Sequence, residues 1–599
     1  MRRVRSIAYG CAVGLLACDT PQTPPKSTNS GDAPEMYTFL SPGDHLLRAS
    51  MAIRGVRPTP DQLLAVEDEP ELLPEFVDSY LADPLLGDMA RDLGAELFLV
   101  RTDVIDQLPA IGALRGRELS HMHEATSETS LRLLEEIVVD DLPLTELVTA
   151  DWVWTNPTHA LIYGLPFDED RSGWQRSYWD DGRPPAGVLS DSELWRRYES
   201  AGSNFHRLRA NFVASSLLCE DFNVRDIDGA SGVDISNEFE VANAVRTTDA
   251  CVNCHQALDP LAGFFWGFKK QTKRFTVVKA FNQDCRNYNV SGESLVENYT
   301  PDQFCYPLEH YTVGDEGGWD NWDLRAPGYY GQPLDHLSDL GQSIADDPRF
   351  AQCMGRTFYA YLTQSAREDV PIKLAMELQN VLEDSDFNTK ELIRHVVLSD
   401  SFRATRGEPE APAPAAGLQT IRPGQYARTL EALTGFRWIA NADLDDCANP
   451  RVDGEGTRCW GEVDLGVTDR FGFRSMSGGL NGYYITSPTH TITPPKDMVM
   501  DRYAFEAAGY VVPRDLDGQN APAALLTQVT RGDTAENLIR TQLAALHLRI
   551  LGEFLEADDA EIDTTWGLWS EVEASSQDTE TAWIVTVAAL LQDTRMVFY

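Results

Sequence analysis

Cys251-Val252-Asn253-Cys254-His255 is the stretch of this sequence best equipped for chemistry, and Gln256-Ala257-Leu258-Asp259-Pro260 follows it directly. Two thiols three residues apart lie about one helical turn apart, on the same side of a short helix or turn. With a histidine immediately after them, they form the attachment signature of c-type haem. The thiols can add to the two haem vinyl groups as thioethers, and His255 can ligate the iron from the proximal side. The same residues allow other readings. Cys251 and Cys254 can form a structural disulfide in a scaffold or binding protein without haem. They can join His255 in a zinc site, although no second Cys/His pair has convincing ligand spacing. A thioredoxin-like role would need a surrounding βαβ pattern, which the sequence lacks. For the sixth iron ligand Met354 is one candidate, with His310, His336 and His395 as alternatives. One haem with an unassigned sixth position permits electron transfer, peroxidase-like turnover or sensing.

The next residues, Leu261-Ala262-Gly263-Phe264-Phe265-Trp266-Gly267-Phe268, are dense in aromatics. They suit either the apolar wall of a haem pocket or ordinary core. Two acidic groups could collect oxygen ligands for calcium: Asp443, Asp445, Asp446 and Asp453, and Asp315, Glu316, Asp320 and Asp323. A solvated acidic loop is the alternative in so acidic a chain. The sequence has no Gly-x-Ser-x-Gly elbow, no P-loop and no Gly-x-Gly-x-x-Gly before a helix.

The start of the chain bears on whether haem can be attached. Met1-Arg2-Arg3-Val4-Arg5 is a positive n-region, and Ile7 to Ala17 is an apolar run too short to span a bilayer. It ends in Leu15-Leu16-Ala17-Cys18, which resembles a bacterial lipobox, so Cys18 is the expected site of lipid attachment. The alternative is an ordinary signal peptide cut nearby. Either reading predicts export to the periplasm or cell envelope, with the membrane reached through the N-terminal lipid alone. The net charge of −43 argues against nucleic acid and against docking of the folded body on anionic lipid. It keeps the protein soluble, and it could steer a basic redox or envelope partner.

Ten cysteines occur; setting aside Cys11, Cys18, Cys251 and Cys254 leaves six. An oxidising compartment allows three disulfides among fifteen connectivities. Cys447 and Cys459 share a polar loop and form the first expected pair, Cys285 and Cys305 bracket another loop, and Cys219 with Cys353 is the remainder.

The 599 residues suggest about two to four domains. The expected fold is mainly α and multidomain, made of helical modules with loop-rich insertions and short strands. A signal peptide (1–18) and a Pro/Ser/Thr-rich tether (19–38) precede an N-terminal helical domain (39–220). In it Gly55 stops one helix, and Thr59 and Pro60 start the next as N-cap and first turn. The cysteine motif and a loop-rich insertion occupy 221–335, and a helical companion domain 336–403. The Pro/Ala/Glu-rich run 404–417 reads as a linker, before a C-terminal helical domain (418–599) with a disulfide loop. Val397 to Phe402 is echoed by Ala588 to Phe598, so the two halves open and close alike, as in a degenerate repeat.

The residues from Thr248 through Phe268 resemble a domain of large exported proteins of planctomycetes and myxobacteria, the planctomycete-type cytochrome C domain. The match rests on Cys251, Cys254, His255, Asp259, Pro260, Gly263 and Phe264. Leu47 to Thr59, Asp140 to Pro166, Arg209 to Glu220 and Cys353 to Arg403 resemble its companion domains. The resemblance covers about Leu46 to Arg403, and beyond that only Tyr426 to Phe436 and the final helix. Where members often carry Asn-Phe-Asp and Gly-x-x-Arg after the motif, this chain has Gly267-Phe268-Lys269-Lys270-Gln271. The resemblance implies export and covalent haem rather than a named reaction. The expectation is thus an exported, lipid-anchored c-type cytochrome-like protein that transfers electrons through one haem c, or else a non-haem cell-surface scaffold with structural disulfides.

Overall fold

Proline and glycine set the ends of the helices. The computed structural model describes residues 36–599 apart from 103–107, 109–118, 172, 201–203, 226–232, 235, 271–306, 308–309, 323, 442–450, 454–455, 459–461 and 470. Helix α1 (Pro42–Arg54) opens with Ser41, whose side chain accepts the Asp44 N–H at 3.1 Å, and it closes at Gly55 with φ 69°. That left-handed turn is open to glycine at little steric cost. Thr59 caps the following helix in a capping box with Gln62, and Pro60 takes the first turn, as the sequence predicts.

The fold is mainly α, with few short strands in small two-stranded sheets. The helices that matter below are α2 (Leu86–Phe98), α3 (Thr129–Val139), α4 (Arg207–Leu217), α5 (Glu238–Thr247), α6 (Asp249–Gly263), α7 (Pro348–Thr363), α8 (Ile372–Asp384) and α9 (Thr389–Val397). With α1 most of them bury one large apolar core, in which α2 packs on α3, α4 on α6 and α7 on α8. The run after residue 404 continues with α10 (Pro423–Thr434), α11 (Pro494–Leu516), α12 (Ala560–Ser576) and α13 (Thr579–Leu591), which bury a second core around Trp569 and Trp583. Residues Tyr37–Tyr599 nevertheless form one compact unit. Among the described residues no helix is long and apolar enough to cross a membrane.

Helix α1 serves both cores. Leu46, Ala49, Ala52 and Ile53 point into the first, and Leu47 and Met51 into the second. Arg48, fully buried between them, donates to the carbonyls of Phe402 at 2.6 Å, Ala404 at 3.2 Å and Gly417. The stretch expected as a linker is therefore built into the body. Its start is strand β2 (Ala404–Gly407), antiparallel to β1 (Tyr37–Phe39), and Tyr37 donates its hydroxyl to the Ala413 carbonyl at 2.7 Å.

The two halves are closed in the same way. In the first, the short helix Asp400–Arg403 leads into β2, which pairs with the opening strand. In the second, the helix Thr594–Val597 leads into residues that pair with Gln419–Ile421, with Gln419 N–H on the Tyr599 carbonyl at 3.0 Å and Ile421 N–H on Val597 at 2.7 Å. Each opening is followed by a helix that starts with Pro-Gly and ends at a left-handed glycine, Gly55 or Gly435. These paired features give the degenerate repeat a structural basis.

A half-buried ion network joins the halves. Asp92 of α2 accepts from Arg101 and from Arg428 of α10, both at 2.8 Å, while Glu128 accepts from Arg101 at 2.7 Å. Glu96 of α2 accepts from Arg422 at 3.0 Å. Burial alone would push the Asp92 carboxyl up, but Arg428 and Arg101 outweigh it and hold it well below the usual carboxylate range.

His45 makes the seat of α1 in the first core pH-sensitive. Burial lowers it from 6.5 to about 4, and its Nε2 donates to the Val397 carbonyl at 2.8 Å as a neutral ring. The unfolded chain takes up this proton near pH 6.5, the folded chain only near pH 4. The contribution is thus intact above pH 6.5 and is lost as pH falls through that window, by about 3 kcal/mol. Denaturant unfolding of the wild type and His45→Gln, which keeps a donor but cannot titrate, should diverge between pH 7.5 and 4.5. Equal losses in both would refute the assignment.

Candidate functional site

The cysteine motif lies within one helix. Helix α6 starts after Thr248, whose carbonyl accepts both the Cys251 and the Val252 N–H at 2.9 Å. Helices α4 and α5 pack against it. Residues 251, 254 and 255 share one face by helical spacing, and all three side chains are half-buried. Asn253 and Gln256 face solvent, whereas Ala257, Leu258, Leu261 and Ala262 root the helix in the first core. The helix ends where Gly263 meets the backbone of Pro327: a Cβ at Gly263 would lie 2.9 Å from the Pro327 Cα, so no larger residue fits that approach. Cys251 and Cys254 are both free thiols.

His255 is held by a carboxylate on its own helix. Its Nδ1 lies 2.8 Å from Oδ1 of Asp259, one turn later, and that carboxylate also accepts from Arg207 of α4, Nε at 2.7 Å and Nη2 at 3.2 Å. Asp259 is buried, which would raise its pKa, but the hydrogen bonds from His255 and Arg207 outweigh burial and keep it below its ordinary value. An ionised carboxylate only accepts, so Nδ1 carries the proton and the lone pair of neutral His255 sits on Nε2. This is the arrangement by which a carboxylate orients a metal-ligating histidine. The residues therefore fit a c-type haem: two unbonded thiols and a histidine on one face, the ring fixed with Nε2 as the available ligand. Asp259 stands in the sequence motif without an assigned role, although the four-residue spacing to His255 is the signal that finds it. Arg207 comes from a distant helix and carries no such signal.

The other expected residues fall elsewhere. Phe264, Phe265, Trp266 and Phe268 are all buried, nine or more residues beyond His255 and so about 13 Å or more along the helix and its extension. Phe265 packs on Trp195 with ring centroids 4.5 Å apart, and Phe268 on Tyr311 at 4.8 Å. Of the two sequence readings of this aromatic run, these contacts match ordinary core. Met354 is 1% exposed on α7, which packs against α4, α8 and α9, and its surroundings are those of a core residue. His310 is buried beside Phe268 and pushed well below its ordinary pKa by burial, with nearby arginines adding to the shift. His336 is exposed, and His395 meets Glu377 at 2.9 Å.

Cys219 and Cys353, the pair left over in the sequence reading, are the ones the structure joins, with Cα atoms 5.3 Å apart. Cys18, Cys285, Cys305, Cys447 and Cys459 lie outside the described residues, as do Asp323, Asp443, Asp445 and Asp446. Asp315 pairs with Lys269 at 3.3 Å, and Glu316 accepts the Tyr311 hydroxyl. Among the described residues no group of three or more His, Cys, Asp or Glu side chains is placed to hold a metal ion. Comparison of the chain with protein-family models, with curated proteins and with solved structures gave no match.

Removing the carboxylate from the pair should be costly. Asp259→Ala leaves Arg207 and His255 without their common acceptor and should destabilise the protein by about 3 kcal/mol. Asp259→Asn, which keeps one acceptor oxygen, should cost less. Because the folded pKa of Asp259 lies below 3.8, the gap between wild type and Asp259→Asn should be complete above about pH 4 and shrink as pH falls further. Chemical denaturation at pH 7 and pH 3 measures both; a gap that widens in acid would contradict this pairing.

Proposed function

We propose that the chain is an exported, lipid-anchored c-type cytochrome-like protein that transfers electrons through one covalently bound haem. One observation carries this reading: unbonded Cys251 and Cys254 share a helix face with His255, whose Nδ1 is engaged by Asp259. Cys251 and Cys254 would hold the haem as thioethers and His255 would ligate its iron through Nε2. When bound, the group supplies one-electron redox chemistry at a potential set by the axial ligands. The chain's own contribution is to orient the ring. Asp259 fixes the tautomer, Arg207 fixes Asp259, and the buried half of α6 keeps the whole face in place.

The resemblance of residues 248–268 to planctomycete-type cytochrome C domains supports the same reading. So does the n-region and apolar run ending at Cys18, which supports export and lipid attachment, and the Cys219–Cys353 bond suits an oxidising compartment. The partner is a redox or envelope protein; the charge of −43 favours one with a basic face.

Expression with haem-maturation machinery should give a Soret band and haem that persists through denaturing electrophoresis, and Cys254→Ser should abolish the two-point attachment. A wild-type protein without covalent haem, carrying a Cys251–Cys254 disulfide by mass spectrometry, would instead make it a scaffold. Fractionation of Cys18→Ala tests the anchor: the variant should leave the membrane fraction, and unchanged membrane association would refute lipid attachment at Cys18.

A further inference from the structure

A cavity of about 320 Å3 lies where the two cores meet, far in sequence from the cysteine motif. Its walls come from α2 and α3 on one side and from α10, the 478–482 turn and Tyr503 of α11 on the other. Its size falls at the lower end of small-molecule sites, about 300–1,000 Å3. The chain as a whole carries 93 acidic residues against 50 basic ones. The described residues lining this cavity are balanced, with seven arginines and seven carboxylates.

The balance is also local. Asp88, Asp92, Glu96, Glu128, Glu431 and Asp464 each face an arginine, among them Asp92 with Arg101 and Arg428, Glu96 with Arg422, and Asp464 with Arg437 at 2.7 Å. His490, also in the wall, is held down to about 4 by burial, with Arg422 and Lys496 adding to the effect, so it is neutral at pH 7. The walls are rigid as well. Arg474 donates to the carbonyls of Leu480 at 2.7 Å and Val467 at 3.0 Å, and Arg197 to Gly482 at 2.6 Å, pinning the turn that forms one side.

This arrangement selects a ligand class. A charged guest gives up its hydration on entering, and a lining with as many carboxylates as arginines offers it no net attraction in return. A neutral guest rich in hydroxyls meets no such barrier. Each hydroxyl both donates and accepts, so it can use spare carboxylate lone pairs and guanidinium N–H groups while every existing pair stays intact. We infer that the cavity between the two cores is a binding site for a neutral polyhydroxylated small molecule of mono- or disaccharide size. The site is separate from the cysteine motif and does not depend on haem.

Isothermal titration of the full chain with glucose, galactose, cellobiose and maltose, and with glucuronate, glutamate and inorganic phosphate, tests this. At least one neutral sugar should bind at least tenfold tighter than any charged probe. Val467, half exposed in the cavity wall, provides the variant: Val467→Trp should weaken that binding at least tenfold with the thermal midpoint unchanged. Hydrogen exchange of the wild type gives a second readout that needs no variant, with sugar-dependent protection expected at residues 422–431 and 478–490. Absence of binding by all four sugars, tighter binding of a charged probe, or protection confined to other segments would overturn the inference.

Discussion

Helix α1 is buried on two sides by two different cores, and the rest of the molecule is arranged around that double burial. Such a helix has little room for a polar face, and its buried polar groups must find partners from within. Arg48 does so through its two terminal nitrogens. Burial lowers its guanidinium to about 10, still charged at neutral pH, and three backbone carbonyls from the 402–417 stretch receive its protons. The connection between the halves is thereby fixed in place by a residue some 350 positions earlier in the chain, as the 354-residue separation from Arg48 to Phe402 records.

The ion network behind α2 is the second tie between the halves. Its members are half-buried, and replacing such pairs with apolar residues of similar volume is often neutral for stability. Their value lies in register. Arg428 of α10 and Arg422, the residue that caps it, reach two acids one turn apart on α2, which sets how α10 lies along α2. The same pairs form the floor of the cavity between the cores, so one set of contacts fixes both the docking of the halves and the polarity of the space they enclose.

The parts of this fold that were legible in the sequence are the local ones. Gly55, Thr59 and Pro60 mark helix ends through their own backbone preferences, and the structure places those ends there. The Cys251 to His255 motif sits on one helix face because spacing alone decides that. The run 404–417 reads as a linker from its composition, yet it is ordered by Arg48 and Tyr37, partners that no local pattern reveals. The aromatics from Phe264 to Phe268 are ambiguous for the same reason: whether they face a cofactor or a core depends on Trp195 and Tyr311 from distant segments. Arg207, which completes the His255 and Asp259 set, is hidden by its separation of 52 positions from Asp259.

The two-sided burial of α1 also sets a problem of timing. Gln425, whose side chain donates to the Met51 carbonyl, lies 374 residues after it. At the speed of translation, on the order of 5–20 residues per second, that separation is tens of seconds. The first core has all its residues once Phe402 has been made, while Leu47 and Met51 still lack Tyr426, Leu430 and the rest of their cover. A nascent first half would therefore display an apolar stripe along one flank of α1 until the second half arrives. Either the stripe is shielded by a chaperone during that time, or α1 waits and docks on both cores at once when the whole chain is available.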